Sequence, residues 1–171
     1  KGSSGQYCYH LKQDKYSEHL QQIGALMQRL VTELAAAYSE HPAYQILQRV
    51  FEEHFVVADN GLRPKEGSEL SASSLQSPDD QEATYRKKRD EEHIGYVGNG
   101  AETCHPENEV QLIVKVQVEP NNTDDAVMLN AALPELGERT AVEEMYTDGG
   151  YNSPTVDETM RDHKVEHIQS A

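Results

Sequence analysis

Asp148, followed by Gly149 and Gly150, is the carboxylate in this sequence best placed to do chemistry. It closes the run Val142-Glu-Glu-Met-Tyr-Thr, which reads as a short strand, and α/β proteins place their sites at the carboxyl ends of strands. The two glycines leave the carboxylate uncovered and let a ligand approach it. The same Asp-Gly pair also makes ordinary turns, so local sequence leaves both readings open. Other candidates have plainer explanations. Asp124 and Asp125 fall in a first helical turn, where the helix dipole favours negative charge. Asp79 and Asp80 are adjacent acids in an irregular stretch, and neighbouring side chains point different ways. Cys104-His105 has no second pair at metal-ligand spacing and reads as a turn. His163 and His167 are four apart, but the helix that would align them should end near His163. His19, His41 and His54 read as surface residues. No nucleophile elbow, P-loop or dinucleotide fingerprint is present, and the glycines at 95, 98 and 100 miss the GxGxxG spacing.

Charge narrows the function classes. Asp and Glu number 30 against 15 Lys and Arg, a net charge of −15 over 171 residues. Residues 91–171 carry 17 acids and four bases, so nearly all the excess lies in the C-terminal half. Direct nucleic-acid binding by that half is disfavoured, because phosphates need Lys and Arg. The one basic run is Arg86-Lys87-Lys88-Arg89, just before it. Acid clusters are ordinarily a solvated surface, and a gathering of carboxylates for a divalent metal is the sharper reading. Leu, Ile, Val and Phe make up about 19% of the chain, just under the ~20% line below which a highly charged chain is suspected of disorder. No apolar run approaches the roughly 18 residues a membrane span needs. The polar start Lys1-Gly-Ser-Ser-Gly has no apolar stretch, so no signal peptide is expected, and without a Met it reads as an excised piece or a tagged chain. Two cysteines, Cys8 and Cys104, are too few for a disulfide scaffold, and a reducing cytoplasmic setting is expected.

The elements that must position Asp148 follow from periodicity. Tyr16, Leu20, Ile23, Met27, Leu30, Val31 and Leu34 recur at helical spacing and predict a helix over 15–38, with Gly24 a weak point inside it. A break at 39–42 and a second helix over about 42–55, with Tyr44, Leu47, Val50, Phe51 and Phe55 on one stripe, complete an antiparallel helical hairpin. Residues 58–82 hold turn residues and a Ser-rich stretch, and read as a linker or irregular arm. Strands are expected at about 93–103 and at 110–118. In the second, Val110, Leu112, Val114, Val116 and Val118 form one apolar, half-buried face. Thr123 reads as the N-cap of a helix that stops near Pro134. The 142–147 strand, a helix over about 154–163 behind the Ser153-Pro154 cap, and a last strand over 165–169 finish the chain. The expected architecture is α/β, with an α-helical hairpin ahead of a mixed sheet covered by helices. The domains are expected as 1–57 helical, 58–92 arm and 93–171 sheet domain.

Several segments resemble one large group of bacterial insertion-sequence transposases of the DDE type. They are Leu75-Gln-Ser-Pro-Asp-Asp-Gln-Glu-Ala-Thr-Tyr-Arg-Lys-Lys, His93-Ile-Gly-Tyr-Val, Ala101-Glu-Thr-Cys, Leu112-Ile-Val-Lys-Val-Gln-Val-Glu-Pro-Asn, Thr123-Asp-Asp and Tyr146-Thr-Asp-Gly-Gly-Tyr-Asn-Ser. They come in the family's order and cover roughly residues 70–171. Residues 15–57 are similar in character to the helical region that the group inserts ahead of its second strand. The resemblance implies an RNase H-like catalytic domain, incomplete here. It implies three acids that hold two divalent ions, normally Mg²⁺, for in-line attack on a DNA phosphodiester. Asp148 matches the family's second acid, which makes it the implied catalytic and metal-binding residue. Arg86, Lys87, Lys88 and Arg89 are expected to track a DNA phosphate backbone. The implied partners are transposon-end DNA and a second copy in a synaptic complex, with no membrane, in a bacterial cytoplasm at the nucleoid. The pattern departs at both ends. No strand bearing the first Asp precedes Tyr16, Asp14 is a poor substitute, and the third acid should come after the last strand. The piece alone is therefore expected to be inactive. A non-catalytic remnant serving as an interaction module is the alternative expectation.

Overall fold

A computed structural model describes residues 11–59 and 61–169. Cys8 and the polar start lie outside the described residues. The chain divides into two compact units, one through Gln81 and one from Glu82.

The first unit is built on the helical hairpin expected from periodicity. Helix α1 spans Tyr16–Tyr38 and α2 spans Pro42–His54. Pro42 takes the first position of α2, where its missing N–H costs nothing, and the His41 Nδ1 accepts from the Ala43 N–H at 3.2 Å. Tyr44 is buried and donates its hydroxyl to the Val31 carbonyl at 2.9 Å, which fixes α2 on α1. Met27, Leu30, Val31 and Leu34 of the expected stripe are half-buried, but its N-terminal part departs from the expectation. Tyr16, Leu20 and Ile23 are 44–48% exposed, whereas Gly24 is buried. The reason is the hairpin of β1 (Phe55–Ala58) and β2 (Gly61–Pro64), which lies on α1 at Gly24 through Phe55 and Leu62. Gln21 donates to the Leu62 carbonyl beside it.

The segment read as an irregular arm is thus partly regular and is tied down. Ala58 of β1 and all of β2 occupy its start, a 3-10 turn covers Gly67–Glu69, and Arg63 grips Glu69 with two bonds of 2.7 Å. Arg49 reaches the Ser73 and Gln81 carbonyls at 3.3 Å each and pairs with Glu53 at 2.8 Å. Glu53 in turn accepts from the Leu75 N–H at 2.6 Å. Burial alone would raise the Glu53 carboxyl, but the Arg49 guanidinium and the Leu75 N–H outweigh it and hold the carboxyl below its ordinary range. Turn-forming composition hid these contacts, because they are made by charged side chains (Arg49 and Glu53 of α2, Arg63 of β2) and not by an apolar pattern.

The second unit carries strands β3 (Thr84–Lys88), β4 (Glu91–Glu102) and β5 (Ile113–Pro120) in one antiparallel sheet. Strands β6 (Glu144–Thr147) and β7 (Glu166–Gln169) form a separate parallel pair. The single mixed sheet expected from the sequence is therefore divided among the described residues. Helix α3 (Asp125–Thr140) and α4 (Pro154–Asp162) supply the core. Ala126, Leu129 and Leu133 of α3 pack with Val156 and Met160 of α4 and with Val165, and Met145 of β6 packs against them.

Four further expectations differ from the structure. Strand β3 holds most of the basic run, which periodicity does not mark as a strand. The face of β5 turned to α3 carries Lys115, which pairs with Glu135, and Gln117, which donates to the Met128 carbonyl at 2.9 Å. Val116 and Val118 point the other way and are 65% and 64% exposed, as are Val110 and Leu112 for the most part. Alternation gave the right period but not which face is covered. Helix α3 is capped by Asp124, whose Oδ1 accepts from the Ala126 N–H at 2.9 Å, and not by Thr123. It also runs on through Pro134. An internal proline costs about 3 kcal/mol, and burying Leu136 to 2% exposure offsets roughly 1.5–3 kcal/mol of that.

Candidate functional site

The carboxyl end of β6 leads straight into a 3-10 turn, Gly149–Tyr151, and Asp148 caps it. Its Oδ1 accepts from the Gly150 N–H at 2.8 Å, while the residue stays exposed. Strand periodicity turns Met145 into the helical core, so β6 is anchored from beneath and Asp148 is held at its rim. Thr147 bonds to the His167 Nε2 at 2.7 Å, and the His167 Nδ1 faces the Asp157 Oδ1 at 3.4 Å. That chain ties β6, β7 and α4 together next to Asp148.

A second carboxylate comes close. A Cβ built on Gly150 would stand 3.0 Å from the Asp125 Oδ2 and 3.0 Å from the Asp148 Oδ1. Two acids thus flank one glycine, and a side chain at 150 would crowd both. The neighbouring Tyr151 phenol is raised in pKa by burial first, then by the negative charges of Asp125 and Asp148. Tyr151 donates to the Asn99 Oδ1 at 2.8 Å, and Asn99 donates to Gln117 at 3.3 Å, so the turn is braced against β4 and β5. In sequence Asp125 reads as a helix-start residue, which gives no hint of this pairing. The meeting of residues 125 and 148 depends on the packing of α3 beside β6, and no local signal carries it.

The other sequence candidates do not join the site. Asp124 is spent on its cap. Asp79 and Asp80 lie in the first unit, in a turn built on Ser77. Cys104 is exposed, and the His105 ring accepts from the Glu107 N–H at 3.2 Å within its own turn. His163 ends α4 and His167 sits in β7, so they share no helical face. The basic run forms β3 and the turn after it. Lys87 stands opposite Glu92, Lys88 opposite Glu91, and Arg89 takes a left-handed φ of 58°.

Carboxylate oxygens suit a hard ion such as Mg²⁺, and Asp125 and Asp148 fit that chemistry. Among the described residues, however, no three His, Cys, Asp or Glu side chains gather as a metal-binding group. These residues alone do not complete a two-ion centre. A cleft of about 1110 Å³ opens beside Asp148, between β4 and β6. Among the described residues, no helix is long and apolar enough to cross a membrane. Comparison of the chain with protein families, with curated proteins and with solved structures gave no match.

Proposed function

We propose that this chain is part of the catalytic domain of a DDE-type transposase that cleaves and transfers DNA strands at the ends of an insertion sequence, with Asp148 as one of its metal-binding carboxylates. The observation that carries the reading is the position of Asp148. It stands exposed at the carboxyl end of β6, within the segment Tyr146-Thr-Asp-Gly-Gly-Tyr-Asn-Ser, which resembles that family. The order of elements from β4 to β7 agrees with an RNase H-like reading, in which an antiparallel pair is followed by βαβ alternation. Asp125, close to Asp148 across Gly150, adds negative charge where a cation would be held. In this reading Asp148 and Asp125 offer oxygen donors. The Gly150 N–H orients the Asp148 carboxylate, and Tyr151 braces the turn. Asp148 and Asp125 are two of the donors that a two-ion centre needs.

The test uses the transposase reading frame that contains this chain, with labelled transposon-end DNA and Mg²⁺. Asp148→Ala should abolish strand cleavage and leave DNA binding within a few-fold of the parent. A variant that still cleaves at the parental rate removes the assignment. A parent frame that never cleaves favours the non-catalytic remnant.

A further inference from the structure

Asp148 stands where the strand ladder has run out. Thr147 is the last residue of β6 and lies opposite Gln169, the last of β7. Beyond it, the Gly150 N–H donates to the Asp148 Oδ1 at 2.8 Å and the Tyr151 N–H to the Asp148 carbonyl at 3.3 Å. Both bonds lie inside the turn, so they shape it without fixing where it joins β6. Tyr151 braces the far side of the turn through Asn99. On the near side, the Thr147 side chain makes the attachment.

The Thr147 Oγ1 lies 2.7 Å from the His167 Nε2, and the His167 Nδ1 lies 3.4 Å from the Asp157 Oδ1. An ionised carboxylate only accepts, so Asp157 calls for hydrogen on Nδ1. In the neutral imidazole that leaves Nε2 to accept from the Thr147 hydroxyl. The His167 side chain is 8% exposed and that of Asp157 52%. Little water reaches the ring to replace a lost partner, and a buried nitrogen left without one is costly. Asp157 lies in the first turn of α4, whose Val156 and Met160 are core residues. Position is therefore handed outward from the core. Helix α4 orients His167, His167 holds Thr147, and Thr147 carries the peptide from which the Asp148 side chain springs.

We propose that His167 is a positioning residue for Asp148. Its ring, set by Asp157, holds the Thr147 hydroxyl and with it the end of β6, and so fixes the direction in which the Asp148 carboxylate is offered to a divalent ion. The role rests on the reading of Asp148 as a metal-binding carboxylate, but its geometric part is read on the full chain without any cleavage.

Two pairs of variants make the test. Thr147→Ser keeps the hydroxyl and Thr147→Val removes it at nearly constant shape. In His167→Gln the amide oxygen can reach the Nε2 position and accept from Thr147, whereas in His167→Asn the amide nitrogen sits near Nδ1 and serves Asp157 alone. The first readout is hydrogen exchange at the Gly150 amide of the full chain, with Leu133 in the core of α3 as the control for the fold. The second is kcat and KM for transposon-end DNA with Mg²⁺, measured on the reading frame that contains this chain. Thr147→Val and His167→Asn should speed Gly150 exchange while leaving Leu133 as in the parent. They should lower kcat about tenfold and leave KM for DNA within about twofold. Thr147→Ser and His167→Gln should recover most of both readouts. Unchanged Gly150 exchange in Thr147→Val and His167→Asn would overturn the proposal. So would His167→Gln behaving as badly as His167→Asn, which would give the ring a packing role only. Should all four variants cleave like the parent while Asp148→Ala does not, the positioning role falls and the Asp148 assignment stands. A parent frame that never cleaves removes the transposase reading, and Gly150 exchange still decides whether His167 holds the turn.

Discussion

Replacing Gly24 with alanine sets two effects of opposite sign against each other. In a helix interior, alanine is favoured over glycine by about 0.8–1 kcal/mol. At this position a Cβ would stand 2.5 Å from Phe55 Cε1, 2.6 Å from Phe55 Cδ1 and 3.1 Å from a methyl of Leu62. The Phe55 ring is 7% exposed and stacks on Phe51 with centroids 5.9 Å apart, so it has no free direction in which to swing. Overpacking of a filled core costs about 1–3 kcal/mol, and contacts this short belong at the upper end of that range. Subtracting the helix gain leaves a net destabilisation of about 2 kcal/mol. Denaturant unfolding of the full chain, followed by far-ultraviolet circular dichroism, reads this as a lower midpoint for the helical signal. A double-mutant cycle isolates the cause. Phe55→Val removes the ring atoms while keeping a strand-forming side chain, and in that background Gly24→Ala should be neutral or stabilising by up to ~1 kcal/mol. If Gly24→Ala alone raises the midpoint, the packing of β1 against α1 at residue 24 is wrong.

Three other expectations concern separate features. Pro134→Ala restores an N–H inside α3 at an exposed position, and should raise the unfolding midpoint by the equivalent of about 1–3 kcal/mol; a lower midpoint would mean that the proline ring packs usefully. The Arg63 guanidinium holds the Glu69 carboxyl down at about 2. Because that carboxyl is depressed in the fold, its ion pair is present above the ordinary carboxylate range and is lost as pH falls through about 2. Carboxyl NMR should show that midpoint, and Arg63→Gln should return it towards the ordinary value. In the DNA-binding reading, changing Arg86, Lys87, Lys88 and Arg89 to Gln should weaken binding and flatten its salt dependence, by about 0.9 in the log–log slope for each phosphate that is no longer neutralised. Arg86 and Arg89 should account for most of that change, since Lys87 and Lys88 face Glu92 and Glu91 across the hairpin; an unchanged slope refutes the phosphate-tracking role.

Elements with a local cause were legible from the residues. Pro42 and Ser153 announce their helix starts, and the 3.6-residue stripe over 16–38 and the alternation near 113–120 give the right element type. Decisions taken by packing were not legible. Gly24 reads as a flaw in α1 until Phe55 and Leu62 are seen resting on it. Pro134 reads as a stop because its local cost is plain, while the burial of Leu136 that offsets it is not. Lys115 and Gln117 read as the solvent side of β5, yet they bond to Glu135 and to the Met128 carbonyl of α3. The position of Asp148 at a strand end was legible. Its approach to Asp125 was not, because the two lie 23 positions apart in the chain, in different elements.

The outward face of the antiparallel sheet has a consequence for handling the protein. Ile94, Val116 and Val118 present a greasy surface with 64–65% of each residue exposed. Molecules of net charge −15 repel one another in dilute buffer, which opposes contact between two such surfaces. That repulsion reaches about 10 Å at 0.1 M salt and only ~3 Å at 1 M, which is shorter than the approach needed for side chains to interlock. Raising the ionic strength therefore acts on this molecule as a colloidal trigger. It removes the charge barrier while leaving the attraction between the sheet faces intact, so light scattering should climb with salt at constant pH.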